Sequence, residues 1–157
     1  MSRNYLDIIS LTERLHRQVL ELVKLELDRL GVHDINSVQA MMLFHVGDFE
    51  MTVGELTLRG CYLGTNVSYN LKKMVEIGYL AQERSMHDRR SIHVKLTKKG
   101  REICRQLDEM YRKHIEMLGQ AGITDAELTR VATLLGRLER FWLYTGDLAS
   151  RQGRFAA

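Results

Sequence analysis

Apolar residues recur at helical spacing along most of this chain. From Tyr5 to Leu30 one stripe is marked by Ile8, Leu11, Leu15, Leu22 and Leu25, with a second beside it at Val19, Val23, Leu27 and Leu30. A helix apolar over more than one face needs more than one neighbour, and in a chain this small the second neighbour is plausibly another copy of itself. Gly31 ends the helix as a C-cap residue does. Asn36-Ser37-Val38-Gln39 pairs a capping oxygen with Gln three residues on, which predicts a helix start. That helix reaches about Val46 through Ala40, Met41, Met42, Leu43 and Phe44, and Gly47 closes it. Thr52-Val53-Gly54-Glu55 is a second such box, opening a short helix through Leu56 and Leu58. Gly60-Cys61-Tyr62-Leu63-Gly64 then reads as a turn.

The next helix, Thr65 to Ile77, places Val67, Leu71, Met74 and Val75 on one side. Its other side carries Asn66, Ser68, Tyr69, Asn70, Lys72 and Lys73. Donors, acceptors and charge on one face are what base edges and phosphates require. Gly78 stops this helix. Two β-like runs follow, Tyr79 to Arg84 and Ser91 to Leu96, the second alternating Ile92, Val94 and Leu96 against Ser91, His93 and Lys95. Between them lies the polar tip Ser85-Met86-His87-Asp88-Arg89-Arg90. Beyond Gly100 a long helix carries Ile103, Leu107, Met110, His114, Met117 and Ala121, with Gly119 and Gly122 expected to break it. Thr124 to Glu127 is a third capping box. Leu128, Val131, Leu135, Leu138, Trp142, Thr145 and Ala149 then form a heptad stripe suited to a helix–helix seam. The fold class is mainly α with a small β-hairpin wing, a winged helix-turn-helix between long terminal helices.

Charge sharpens this picture. The net charge of the 157 residues is only +3, yet residues 52–100 hold nine Lys or Arg against four Asp or Glu, a net of +5. A positive field concentrated on the helix and wing is the footprint of a phosphate-binding surface. The longest apolar run, Ala40 to Phe44, is too short to span a bilayer, and the N-terminus has no apolar leader. A cytoplasmic protein without membrane contact is expected. Cys61 and Cys104 have neither disulfide-framework nor zinc spacing. The histidines, His16, His33, His45, His87, His93 and His114, show no metal-ligand spacing, so no metal is expected. There is no nucleophile elbow, phosphate loop or H-E-x-x-H, and catalysis is not expected.

The run Gly78-Tyr79-Leu80, then Asp88-Arg89-Arg90, then Leu96-Thr97-Lys98-Lys99-Gly100 resembles the wing signature of the MarR family of bacterial transcription regulators. The resemblance implies one unit over residues 1–157, with 36–100 the DNA-binding part and 5–30 and 101–149 the helical dimerisation part. It implies a homodimer on an inverted repeat of double-stranded DNA, more commonly a repressor. The contacts implied are Thr65, Asn66, Ser68, Tyr69, Asn70, Lys72 and Lys73 on the recognition helix, with Arg84, His87, Asp88, Arg89 and Arg90 on the wing. Ser68, Tyr69 and Lys73 are preferred for the groove, and Arg90 for the minor groove. Many members carry Arg near Tyr69, a departure that alters base preference because Tyr lacks the bidentate fork.

The family also implies a small aromatic or phenolic effector, and no other cofactor, in a crevice here lined by Leu15, His16, Val19, Met41, Met42, His45 and Met110. Some relatives sense oxidants through a thiol, a role for which Cys61 beside the recognition helix is the candidate. The alternatives are such a redox-sensing regulator and a winged-helix adaptor that binds protein rather than specific DNA.

Overall fold

The computed structural model describes residues 3–60, 64–84 and 92–153. The elements run α1 (Arg3–Arg29), α2 (Ser37–Val46), β1 (Met51–Thr52), α3 (Val53–Gly60), α4 (Gly64–Glu76), β2 (Leu80–Arg84), β3 (Ile92–Leu96), α5 (Lys98–Gln120) and α6 (Asp125–Gly153). The chain divides into two compact units, Met1–Tyr111 and Arg112–Ala157. Among the described residues no helix is long and apolar enough to cross a membrane.

All three capping boxes form, because each needs only neighbours in sequence. Gln39 N–H donates to Asn36 Oδ1 at 2.9 Å, and Asn36 N–H donates to Gln39 Oε1 at 3.0 Å. Thr52 N–H donates to Glu55 Oε2 at 2.7 Å, while Glu55 N–H donates to Thr52 Oγ1 at 3.1 Å. Thr124 and Glu127 repeat the arrangement at 2.8 and 3.3 Å. The carboxyls of Glu55 and Glu127 are held below their ordinary range, first by the backbone N–H and then by the hydroxyl of these threonines.

The first unit is built on one core. Val23 and Leu27 of α1, Ala40, Met42, Leu43 and Val46 of α2, and Leu56 of α3 are buried together. Val67, Leu71 and Met74 bring α4 onto the same core; Leu80, Val94 and Leu96 bring the sheet, and Ile103, Leu107 and Met110 bring α5. Each fully buried side chain of this kind contributes roughly 1.5–3 kcal/mol. Phe44 and Tyr111 meet edge to face, with ring centroids 5.5 Å apart.

The expected hairpin forms and gains a third strand, and one expectation is corrected. The hairpin is part of a three-stranded antiparallel sheet of order β1-β3-β2. Met51 pairs with Val94 and Thr52 with His93; a two-residue strand has no periodicity to announce it. Gly119 does not break α5, which continues to Gln120. The helix ends there, one residue past Gly119, and Gly122 then takes φ +79° while Ile123 N–H returns to Leu118 O at 3.0 Å.

In the second unit, α6 keeps its apolar stripe on the surface. Leu128, Val131, Leu134, Leu135, Phe141 and Trp142 are exposed, and Leu138 is half-buried. In α1 only Val23 and Leu27 are buried, while Leu11, Leu15, Val19, Leu22 and Leu25 are exposed.

Candidate nucleic-acid interface

Helix α4 is fixed from beneath by Val67, Leu71 and Met74. That anchoring turns Asn66, Ser68, Tyr69, Lys72 and Lys73 outward, and Tyr69 is 69% exposed. An aromatic ring so exposed beside two lysines forms a surface able to stack, donate and attract phosphate. Asn70 differs from the rest of this face. It is half-buried, its Oδ1 accepts from Gln39 Nε2 at 3.0 Å, and its Nδ2 donates to Asn66 O at 2.8 Å. The Thr65 backbone lies in the first turn of α4.

The exit from α4 is tightly specified. Gly78 takes φ +82°, a left-handed conformation that suits glycine, and Tyr79 N–H reaches back to Met74 O at 2.9 Å. Thr97 then ties this turn to α5. Its hydroxyl donates to Gly78 O at 2.7 Å and accepts from Gly100 N–H at 3.2 Å, and its own N–H donates to Tyr79 O at 3.1 Å. Thr97 is therefore the N-cap of α5. Gly100 lies against the Tyr79 carbonyl so closely that a Cβ has no room. These contacts explain Leu96-Thr97-Lys98-Lys99-Gly100 physically: the Thr caps, and the glycine admits a neighbouring backbone.

One side of the sheet buries Leu80, Val94 and Leu96. Leu80 faces Leu96, while Gln82, facing Val94, is exposed. On the opposite side Glu83 and Lys95 form an ion pair, whose hydrogen bond holds the Lys95 ammonium above its ordinary range. His93 Nδ1 lies 3.6 Å from Glu50 Oε1. Arg84 is the last residue of β2. The expected tip contacts His87, Asp88, Arg89 and Arg90, and the candidate thiol Cys61, lie outside the described residues.

The residues expected to line an effector crevice are dispersed in character. Met42 and Met110 belong to the core, Met42 being 1% exposed. Met41 and His45 are half-buried, and Met41 Sδ accepts from the Tyr111 hydroxyl at 3.4 Å. Leu15, His16 and Val19 are exposed on α1. A cavity of about 430 Å³ lies between α1 and the start of α2, lined by Arg17, Leu20, Glu21, Lys24, Asn36, Ser37 and Val38. None of these belongs to the expected set. Apolar residues adjacent in α2 all resemble lining in the sequence, and only packing decides which turn inward. Among the described residues no group of His, Cys, Asp and Glu is arranged to hold a metal ion.

The linkage of Gln39 to Asn70 has no local signature, since the residues are 31 positions apart. Gln39 reads in the sequence as a capping residue alone.

Known proteins share this architecture. A family model described as a winged helix DNA-binding domain matches residues 35–100. The exopolysaccharide II synthesis transcriptional activator ExpG of Rhizobium meliloti is 36% identical over 138 residues, spanning 88% of this chain and 71% of that protein. FabT of Streptococcus pneumoniae, solved in complex with DNA, matches with a TM-score of 0.70 at 24% identity, over 88% of this chain and 96% of that one. A mutant MarR from E. coli, complexed with operator DNA, matches with a TM-score of 0.64 at 22% identity, over 87% and 99% of the two chains. At such identities the solved structures establish the fold, and the relative at 36% establishes kinship. With its winged helix, its capped α5 and this kinship together, the chain belongs to the MarR family of DNA-binding transcriptional regulators and is not an enzyme.

Proposed function

We propose that this regulator acts as a homodimer on an inverted repeat, with α4 of each copy in a major groove and the wing reaching the flanking minor groove. The observation that carries the reading is the outward face of α4, where Asn66, Ser68, Tyr69, Lys72 and Lys73 are exposed above a buried apolar side. Thr65 completes that helix as a candidate contact, Asn70 being engaged inward with Gln39, and Arg84, His87, Asp88, Arg89 and Arg90 are the candidate wing contacts. The exposed apolar stripes of α1 and α6 support dimerisation, because a monomer gains nothing by leaving them in water.

Repression follows if the operator overlaps the promoter, and activation if it lies upstream. The printed function of the relative from Rhizobium meliloti, a transcriptional activator, favours the second outcome for some promoters. Release by a small aromatic or phenolic compound is a further part of the proposal, acting through the spacing of the two α4 helices.

Selection from random duplex DNA with the full chain tests this reading. An inverted repeat with half-site centres about ten base pairs apart, or a multiple of that, is expected, and its affinity should fall steeply with salt. Light scattering should report a dimer, and Leu135→Arg, which places charge in the exposed stripe of α6, should yield monomer with weakened DNA binding. An intact dimer that enriches no sequence would favour an adaptor that binds protein. Titrating simple phenols and aromatic acids against the selected complex tests release directly.

A further inference from the structure

Gln39 is 1% exposed, yet its amide is occupied at both ends. Oε1 accepts from Asn36 N–H at 3.0 Å and Nε2 donates to Asn70 Oδ1 at 3.0 Å. Asn70 in turn donates from Nδ2 to Asn66 O at 2.8 Å. The polarity of this chain is imposed from one end. A backbone N–H can only donate, so the Gln39 carbonyl faces Asn36 and its amide faces Asn70. Asn70 must then present its carbonyl to Gln39, which leaves its amide for the Asn66 carbonyl. Flipping either side chain would set donor against donor.

We propose that Gln39 is a positioning residue for DNA recognition, setting the roll of α4 about its own axis through its hydrogen bond to Asn70. The proposal rests on the reading of α4 as the DNA-contacting helix. Val67, Leu71 and Met74 press α4 onto the core, but apolar contacts are non-directional and tolerate small rotations. A directional hydrogen bond from a buried donor does not. Side-chain tips lie roughly 6 Å from a helix axis, so a roll of about 10° moves them by about 1 Å. That displacement is enough to spoil the hydrogen bonds Ser68 and Tyr69 would make with base edges. Asn70 thereby contributes from the inner edge of the helix, although its place in the sequence puts it on the polar face.

The test uses the full chain and the duplex that wild type enriches from random DNA. Gln39→Glu keeps the acceptor for Asn36, as the capping box allows, but replaces the donor toward Asn70 with a buried carboxylate oxygen that repels the Asn70 carbonyl; Gln39→Met removes both ends without adding charge. Each should weaken binding to the selected duplex on the order of ten-fold, with affinity for unrelated duplex and the salt slope unchanged. Asn70→Ala should lose a similar factor, and Gln39→Met with Asn70→Ala no more than the larger single loss, since both break one link. Wild-type affinity in both Gln39 variants, with a loss confined to Asn70→Ala, would overturn the proposal and make Asn70 a direct DNA contact. Additive losses, or specific and unrelated binding falling together with the folded fraction, would overturn it also. If wild type enriches no duplex, the reading of α4 fails and this proposal with it.

Discussion

The Tyr79 hydroxyl donates to Asp34 Oδ1 at 2.6 Å. Lys99 Nζ donates to the other oxygen of the same carboxylate at 2.8 Å and lies 3.9 Å from the centre of the Tyr79 ring. One acid between α1 and α2 thus joins the turn after α4 to the first turn of α5. Burial and then the Asp34 bond push the Tyr79 hydroxyl well above its ordinary range, so it stays a donor.

Asp34 gives this junction a pH dependence. Burial alone would raise its pKa, but the bonds from Lys99 and Tyr79 and the Lys99 charge outweigh burial and leave it lowered from 3.8. A depressed folded pKa means the stabilisation is present above about pH 4 and is lost as pH falls through the folded value. The side chain is 46% exposed, so solvent screening keeps the effect at about 1 kcal/mol or less. Thermal unfolding should show wild type ahead of Asp34→Asn at pH 7, and by less near pH 2. An equal lead at both pH values would contradict a charge-based contribution.

Gly100→Ala should destabilise the chain by about 1–3 kcal/mol, as overpacking against fixed backbone does. The obstruction is the Tyr79 carbonyl, already held by Thr97 N–H, so it has little freedom to retreat. Denaturant unfolding would report the loss as a lower midpoint at unchanged slope. A midpoint equal to wild type would show that the turn can shift.

Lys73 and Tyr69 should part company in DNA binding. Lys73→Ala removes one point charge, which should weaken all duplexes alike and lower the salt slope by about one. Tyr69→Ala should alter which sequence is selected and leave the slope nearly unchanged. Repeating the selection and the salt titration on both variants separates the two; matching behaviour would mean that neither side chain reads bases.

Cys104 should be a poor oxidant sensor. Burial, then the nearby Asp108 and Asp48 charges, push its thiol up to about 12, so at neutral pH almost none is the reactive thiolate. Alkylation of Cys104 at pH 7.5 should be slow and accelerate only on unfolding. Cys104→Ser should leave any peroxide sensitivity of DNA binding intact, and Cys61→Ser should abolish it; loss of sensitivity on Cys104→Ser would reverse the assignment.

Helix positions and caps were legible because they depend on near neighbours: Asn36 with Gln39, Thr52 with Glu55, Thr124 with Glu127. The alternation of Val94 and Leu96 likewise named the buried side of β3. Contacts between distant segments were not legible. Nothing near Met51 signals that it will pair with Val94, and nothing near Asn70 signals Gln39 beneath it. In the sequence Asn70 reads as polar surface because its neighbours Tyr69 and Lys72 do, yet its carboxamide is engaged within the first unit. In the sequence Met42 is indistinguishable from Met41, since a helix apolar all round does not declare its inward side.

Thr97 binds the end of α4 at Gly78, the approach to β2 at Tyr79 and the start of α5 at Gly100. These three elements therefore share a chassis, while the outward side chains at 66, 68, 69, 72 and 73 are fittings mounted on it. On the proposed reading of α4, retargeting this protein to a new DNA sequence becomes an exercise in exchanging fittings. Libraries that vary those five positions and hold Gln39, Asn70, Gly78, Thr97 and Gly100 constant should keep the fold while exploring new operators.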